Sequence, residues 1–197
     1  MSCSHTLKNQ LRAASLALGL CGVAASQVAI PEAQAAVLMA LDLPALVQQS
    51  DLVVVGNAQK QSSRYVDKLI VTDVTLKVVA NLKGAMKPGE LVTVTHLGGS
   101  VGQIGLSVPG AASFKLNESA VVFLRRVPNG DWNVTGMSQG VMPVSGKGAE
   151  QRVLMGGTDS ALMERNAEGR LVEKPAAAAP RKMSELIEEI ERLVHSR

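Results

Sequence analysis

A chain of 197 residues with 20 Lys and Arg against 17 Asp and Glu carries a formal charge of only +3, and no basic run concentrates it. Four aromatics (Tyr65, Phe114, Phe123 and Trp132) are too few for a stacking platform, so composition speaks against nucleic-acid binding and a polybasic membrane patch. Two cysteines, Cys3 and Cys21, do not make a disulfide framework.

Residues 1–35 read as a signal peptide. Lys8 and Arg12 precede the apolar stretch Ala13–Ala25, and Ala33-Gln34-Ala35 has the small-x-small pattern that signal peptidase cuts. The apolar stretch is short for a bilayer span. Cleavage before Ala36 is therefore expected, with no membrane span afterwards. Cys21 follows the bulky Leu20, which argues against lipidation. Without Lys8, Arg12 and Glu32, eighteen basic and sixteen acidic side chains remain and no cysteine does. The mature chain is expected to be secreted or periplasmic, held together by its core alone.

Asp42-Leu43-Pro44 predicts a short helix with Asp42 as N-cap, ending near Ser50. Leu52–Ala58 (LVVVGNA) is apolar on both alternating faces, the pattern of a strand buried on both sides. Gln59–Lys68 completes that strand and turns into Leu69–Leu82 (LIVTDVTLKVVANL), the long strand around which the others pair. There Ile70, Thr72, Val74, Leu76 and Val78 share one face, opposite Val71, Asp73, Thr75, Lys77 and Val79. Leu91–Leu97 alternates as a third strand. Gly98–Gly110 is rich in glycine and too irregular to assign. Ala120–Leu124 is a second doubly apolar strand, and Asn129-Gly130 is a hairpin signal leading into Trp132–Gly136. Gly140–Val144 and Arg152–Met155 add short strands.

From Gly156 the pattern weakens. Thr158–Glu173 reads as weakly helical, and residues 158–183, with Pro175 and Pro180 bounding four alanines, read as a linker. Residues 184–197 form an amphipathic helix with Ser184 as N-cap and a stripe of Leu186, Ile187, Ile190, Leu193 and Val194. Two doubly apolar strands need cover on their outer faces, so at least one terminal helix is expected to dock on the sheet.

Few stretches could carry chemistry. The glycine-rich segment starting at Gly98 has neither a P-loop Lys nor a helix behind it, so it does not fit a phosphate cradle. Its length makes it a candidate ligand-contacting loop, and the candidate binding residues are His96, Gly98, Gly99, Ser100 and Gln103. His96 falls on the face of Val92 and Val94. A Ser100–His96–Asp73 triad would need Asp73 on that face, and alternation puts it on the other. With two mature histidines far apart and no cysteine, a zinc site is not expected, and no EF-hand loop occurs. No catalytic residue, metal or cofactor is expected. The sequons at Asn117 and Asn133 read as chance matches.

Through Asp51–Gly56, Ile70-Val71-Thr72-Asp73-Val74, Lys83-Gly84 and Phe123-Leu124, the segment from Leu43 to Val144 resembles a group of exported bacterial β-domains. More distantly it is similar to the netrin-like module of tissue metalloproteinase inhibitors. That resemblance implies a small OB-type barrel. Those inhibitors ligate their target's zinc through a mature N-terminal cysteine. This chain would start Ala36-Val37-Leu38, so the inhibitory mechanism does not carry over.

The expected architecture is mainly β: a small antiparallel OB-like barrel over 36–157, open or closed, with a short N-terminal and a C-terminal helix. The expected role is a non-catalytic binding module for a protein or extended ligand in the envelope or medium. The rivals are a hydrolase using His96 and Ser100, and a structural envelope component that docks through its C-terminal helix.

Overall fold

The computed structural model describes residues 37–156, 161–174 and 179–196. The expected signal peptide, with both cysteines, lies outside the described residues. So do positions 157–160 and 175–178, seven of which belong to the 158–183 stretch.

In chain order the elements are β1 (Val37–Met39), α1 (Leu43–Gln49), β2 (Leu52–Val66), β3 (Leu69–Lys83), β4 (Leu91–Leu97), β5 (Gly99–Val101) and β6 (Ile104–Leu106). There follow β7 (Ser119–Arg126), β8 (Trp132–Val134), β9 (Val141–Ser145), β10 (Arg152–Val153), β11 (Ala161–Arg165), β12 (Leu171–Glu173), β13 (Arg181–Lys182) and α2 (Met183–His195). The main sheet runs β13-β10-β9-β7-β2-β3-β4-β8, and β8 also pairs with β7. Within it β4 and β8 run parallel and all other pairs are antiparallel. The mainly-β class and a helix near each end are as expected.

The doubly apolar strands account for the layering. Leu52 and Val54 of β2, with Val122 and Leu124 of β7, face one core beside Val74, Leu76, Val92 and Val94. Val53, Val55, Val121 and Phe123 face a second core on the opposite side. Both helices cover that second side: Leu43, Leu46 and Val47 of α1 and Leu186 and Ile190 of α2 are buried there. The apolar stripe of α2 is thus consumed inside its own chain.

Local chemistry fixes α1 in place. The Asp42 carboxylate accepts the Ala45 N–H at 2.8 Å, capping the first turn. At the other end Lys83 Nζ donates to the carbonyls of Val47 and Ser50, where the helix exposes unsatisfied oxygens. Buried Gln139 holds the entering chain by accepting from Leu41 N–H and donating to the Met39 carbonyl.

Four expectations are corrected. Gly98–Gly110 is not wholly irregular, because β5 and β6 form a hairpin around Gly102-Gln103. Thr158–Glu173 is not helical in its described part: β11 and β12 form a hairpin whose first strand pairs in parallel with β1. Ala161–Arg165 consists of good helix formers, but strand pairing overrides that propensity. The described residues of the supposed linker also include β13, which pairs with β10. Finally, α2 begins at Met183 with Lys182 as N-cap and no side-chain cap, so Ser184 lies inside it.

Leu186 is fully buried, so Leu186→Ala should cost about 2–5 kcal/mol of unfolding free energy in urea, the usual price for truncating a packed core leucine. Leu91→Ser, at a position 62% exposed, should stay within about 0.5 kcal/mol of the parent.

Candidate functional site

The apolar alternation of the first core breaks off partway along the β2–β3–β4 sheet. On β3 the inward series Val78, Leu76, Val74 meets Thr72; on β4 the series Val92, Val94 meets His96, directly opposite Thr72. On β2 the residues opposite Val74 and Thr72 are Gln61 and Ser63. These polar side chains form the floor of an open groove of about 420 Å³. One wall is the start of the glycine hairpin at Gly99 and Ser100; the other is the strap Ala112–Phe114.

Hydroxyls tie the glycine hairpin to this floor. Thr72 Oγ1 donates to the Gly98 carbonyl at 2.6 Å. Having spent its one proton there, it must accept from Ser63 Oγ, 2.9 Å away. Ser63 Oγ in turn accepts the Ser100 N–H at 3.3 Å. The Gly98 N–H donates to the Ile70 carbonyl, continuing the strand pairing up to the loop. Gly99 has φ +128, and a Cβ there would overlap Thr72 Oγ1 and Ser63 Oγ. Only glycine lets the backbone come this close. The strap is held by Gln61 Nε2 donating to the Phe114 carbonyl at 2.8 Å.

The expected site residues therefore separate. His96, Gly99 and Ser100 line the groove. Gly98 is buried behind it as an anchor, and Gln103 sits exposed at the hairpin turn, outside the lining. The His96 ring lies 6.0 Å from the Phe114 ring at a tilt of 35°, and its Nδ1 lies 3.0 Å from the Leu97 carbonyl. Asp73 is on the other face of β3. Its carboxylate accepts from Arg64 Nε at 2.6 Å and from Thr95 Oγ1 at 2.7 Å. The hydrogen bond from Arg64 holds the Asp73 carboxyl below the usual carboxylate range, and its hydrogen bonds go to Arg64 and Thr95 rather than to His96. Among the described residues no cluster of three His, Cys, Asp or Glu could hold a metal ion, and no helix is long and apolar enough to cross a membrane.

Gln61, Ser63, Thr72 and Phe114 were not singled out by sequence reasoning. A signal for one of them existed: Thr72 is the polar residue in an otherwise apolar inward series. The strap carried none, because Phe114 reaches the groove only through long-range folding. A second cavity of about 240 Å³ lies on the other side of the strap, against Gly56, Ala58 and Ala120. No protein-family model matches the chain, and no curated protein matches it.

Gly99→Ala should destabilise by about 1–3 kcal/mol through the forced backbone and the overlap with both hydroxyls. Gly102→Ala, at a left-handed φ of +61 but meeting open space, should cost about 1–2 kcal/mol from the backbone alone, less than Gly99→Ala by the same chemical-denaturation measurement. Because the folded-state pKa of Asp73 is depressed, the ion pair's contribution is present above the ordinary carboxylate range and fades as pH falls through the folded value. The stability difference between the parent and Asp73→Asn should therefore shrink from neutral to acid pH in urea titrations.

Proposed function

We propose that β2, β3, β4, β8 and β7 make a small OB-like barrel, and that the protein is an exported, non-catalytic binding module for a protein or extended ligand. Support for the barrel comes from the pairing circuit: β2-β3-β4 as an antiparallel meander, β8 parallel to β4, and β7 joining β8 back to β2. That is the strand order of the OB architecture. Support for export comes from the sequence of residues 1–35.

The observation that carries the binding role is the groove itself. It is open, mixed in polarity, and built on hydrogen-bonded strands rather than on loose loops, which suits recognition. Neither rival draws comparable support. A hydrolase would need an acid behind His96, and Asp73, the acid such a triad would use, is bonded to Arg64 and Thr95 on the other face. A docking helix would need a free apolar stripe, whereas Leu186 and Ile190 are fully buried.

The test compares retention of envelope components on immobilised parent protein, on Leu91→Ser, an exposed position outside the groove, and on Ser100→Trp, which fills the groove. The reading predicts the same retained component on the parent and on Leu91→Ser, and its loss on Ser100→Trp. Retention that ignores the groove-filling variant would contradict it.

A further inference from the structure

Half of β2 is paired on one edge only. Its β7 partner covers Leu52–Asn57, and Ala58 closes that register through Asn117 and Glu118. A bulge follows between Ala58 and Lys60. Beyond it β2 continues to Val66 against β3 alone.

The hairpin register says which backbone groups are free. Asp67-Lys68 is the two-residue connection, so Val66 and Leu69 form the hydrogen-bonded pair beside it. Counting back by two, Arg64 and Ser62 also point their N–H and C=O at β3. Gln61, Ser63 and Tyr65 point theirs the other way, toward the open edge. The Ile70 carbonyl, which accepts from Gly98 on the far side, has the orientation this register demands of Tyr65's partner.

That edge borders the groove, because the side chains of Gln61 and Ser63 line it. Exposed lysines flank it: Lys60 at one end and Lys68 at the other, neither of them ion-paired among the described residues. Arg64, between them, is already taken by Asp73.

We propose that the open edge of β2 receives an extended acidic peptide segment as an added strand. Its backbone pairs with Gln61, Ser63 and Tyr65, and its inward side chains enter the groove. Main-chain hydrogen bonds supply the affinity and the groove supplies the selectivity. The flanking lysines favour carboxylates at the ends of the segment. This assignment rests on the groove being a binding site and names the class of partner it takes.

The experiment selects a displayed library of random dodecapeptides against the purified full chain, then follows amide hydrogen exchange with a selected peptide bound. The expected peptides are rich in Asp or Glu around β-branched residues. They should newly protect the amides of Gln61, Ser63 and Tyr65. Tyr65→Pro removes an edge donor that β3 does not use, so it should weaken binding about tenfold, the worth of one hydrogen bond, without unfolding the hairpin. Lys60→Glu, which leaves the backbone intact, should weaken the same peptides and does not depend on the proline variant folding.

Failure to select any peptide overturns the proposal, as does binding with no new protection at those three amides. Peptides that ignore Tyr65→Pro but are lost on Ser100→Trp would overturn the edge assignment and leave the groove reading standing. Peptides that protect the edge yet ignore Ser100→Trp would overturn the groove reading, and with it the entry of the peptide's side chains into the groove. A dimer of the parent in sedimentation that Tyr65→Pro dissociates would make a second copy the occupant and overturn the peptide.

Discussion

Burial of both faces of β2 and β7 is the constraint on which the rest of the structure depends. A strand that reads Leu-Val-Val-Val cannot leave either side in water. Each buried Val, Leu or Phe side chain is worth about 1.5–3 kcal/mol relative to exposure, and the two strands contribute eight such residues between Leu52–Val55 and Val121–Leu124. One face is satisfied by β3, β4 and β8. The other requires a cover that the strands themselves do not provide, and α1 and α2 supply it. The helices are thus part of the hydrophobic solution, and a short helix such as α1, marginal alone, persists because its apolar side has a place to go.

The site begins where this solution ends. As long as inward residues are Val, Leu and Ala, the strands close over them. At Gln61, Ser63, Thr72 and His96 the inward face becomes polar, and each group must find a partner or water. The Ser100–Ser63–Thr72–Gly98 chain of hydrogen bonds meets that requirement for the hydroxyls and, by doing so, seats the glycine hairpin. Gln61 does the same for the strap. The groove is what remains between the two seated segments, so its shape is set by the same bonds that satisfy its floor.

Much of the fold was legible because period-two patterning is a direct image of burial. β2, β3, β4 and β7 and the need for a lid follow from it, and the residues Asp42-Leu43-Pro44 signal the helix cap separately. What escaped depends on contacts that pattern does not record. β11 and β12 carry helix-prone residues and are strands only through pairing with β1 and with each other. The glycine hairpin has only three residues per strand, too few for alternation to register. At the site, the separation of Asp73 from His96 was readable from alternation within one strand, and so was the placement of His96 inward. The approach of Phe114 and the hydroxyl pairing across β2 and β3 were not, since both require knowing which residues stand opposite one another.

The central claim, that the two faces of β2 and β7 form one cooperative core with the helices as integral cover, is tested most directly by native-state hydrogen exchange. The account predicts that the amides around Leu186 and Ile190 in α2 open with the same free energy as those of Val121–Leu124 in β7, equal to the global stability. Amides of α2 that exchange through a separate, much less costly opening while β7 stays protected would contradict it.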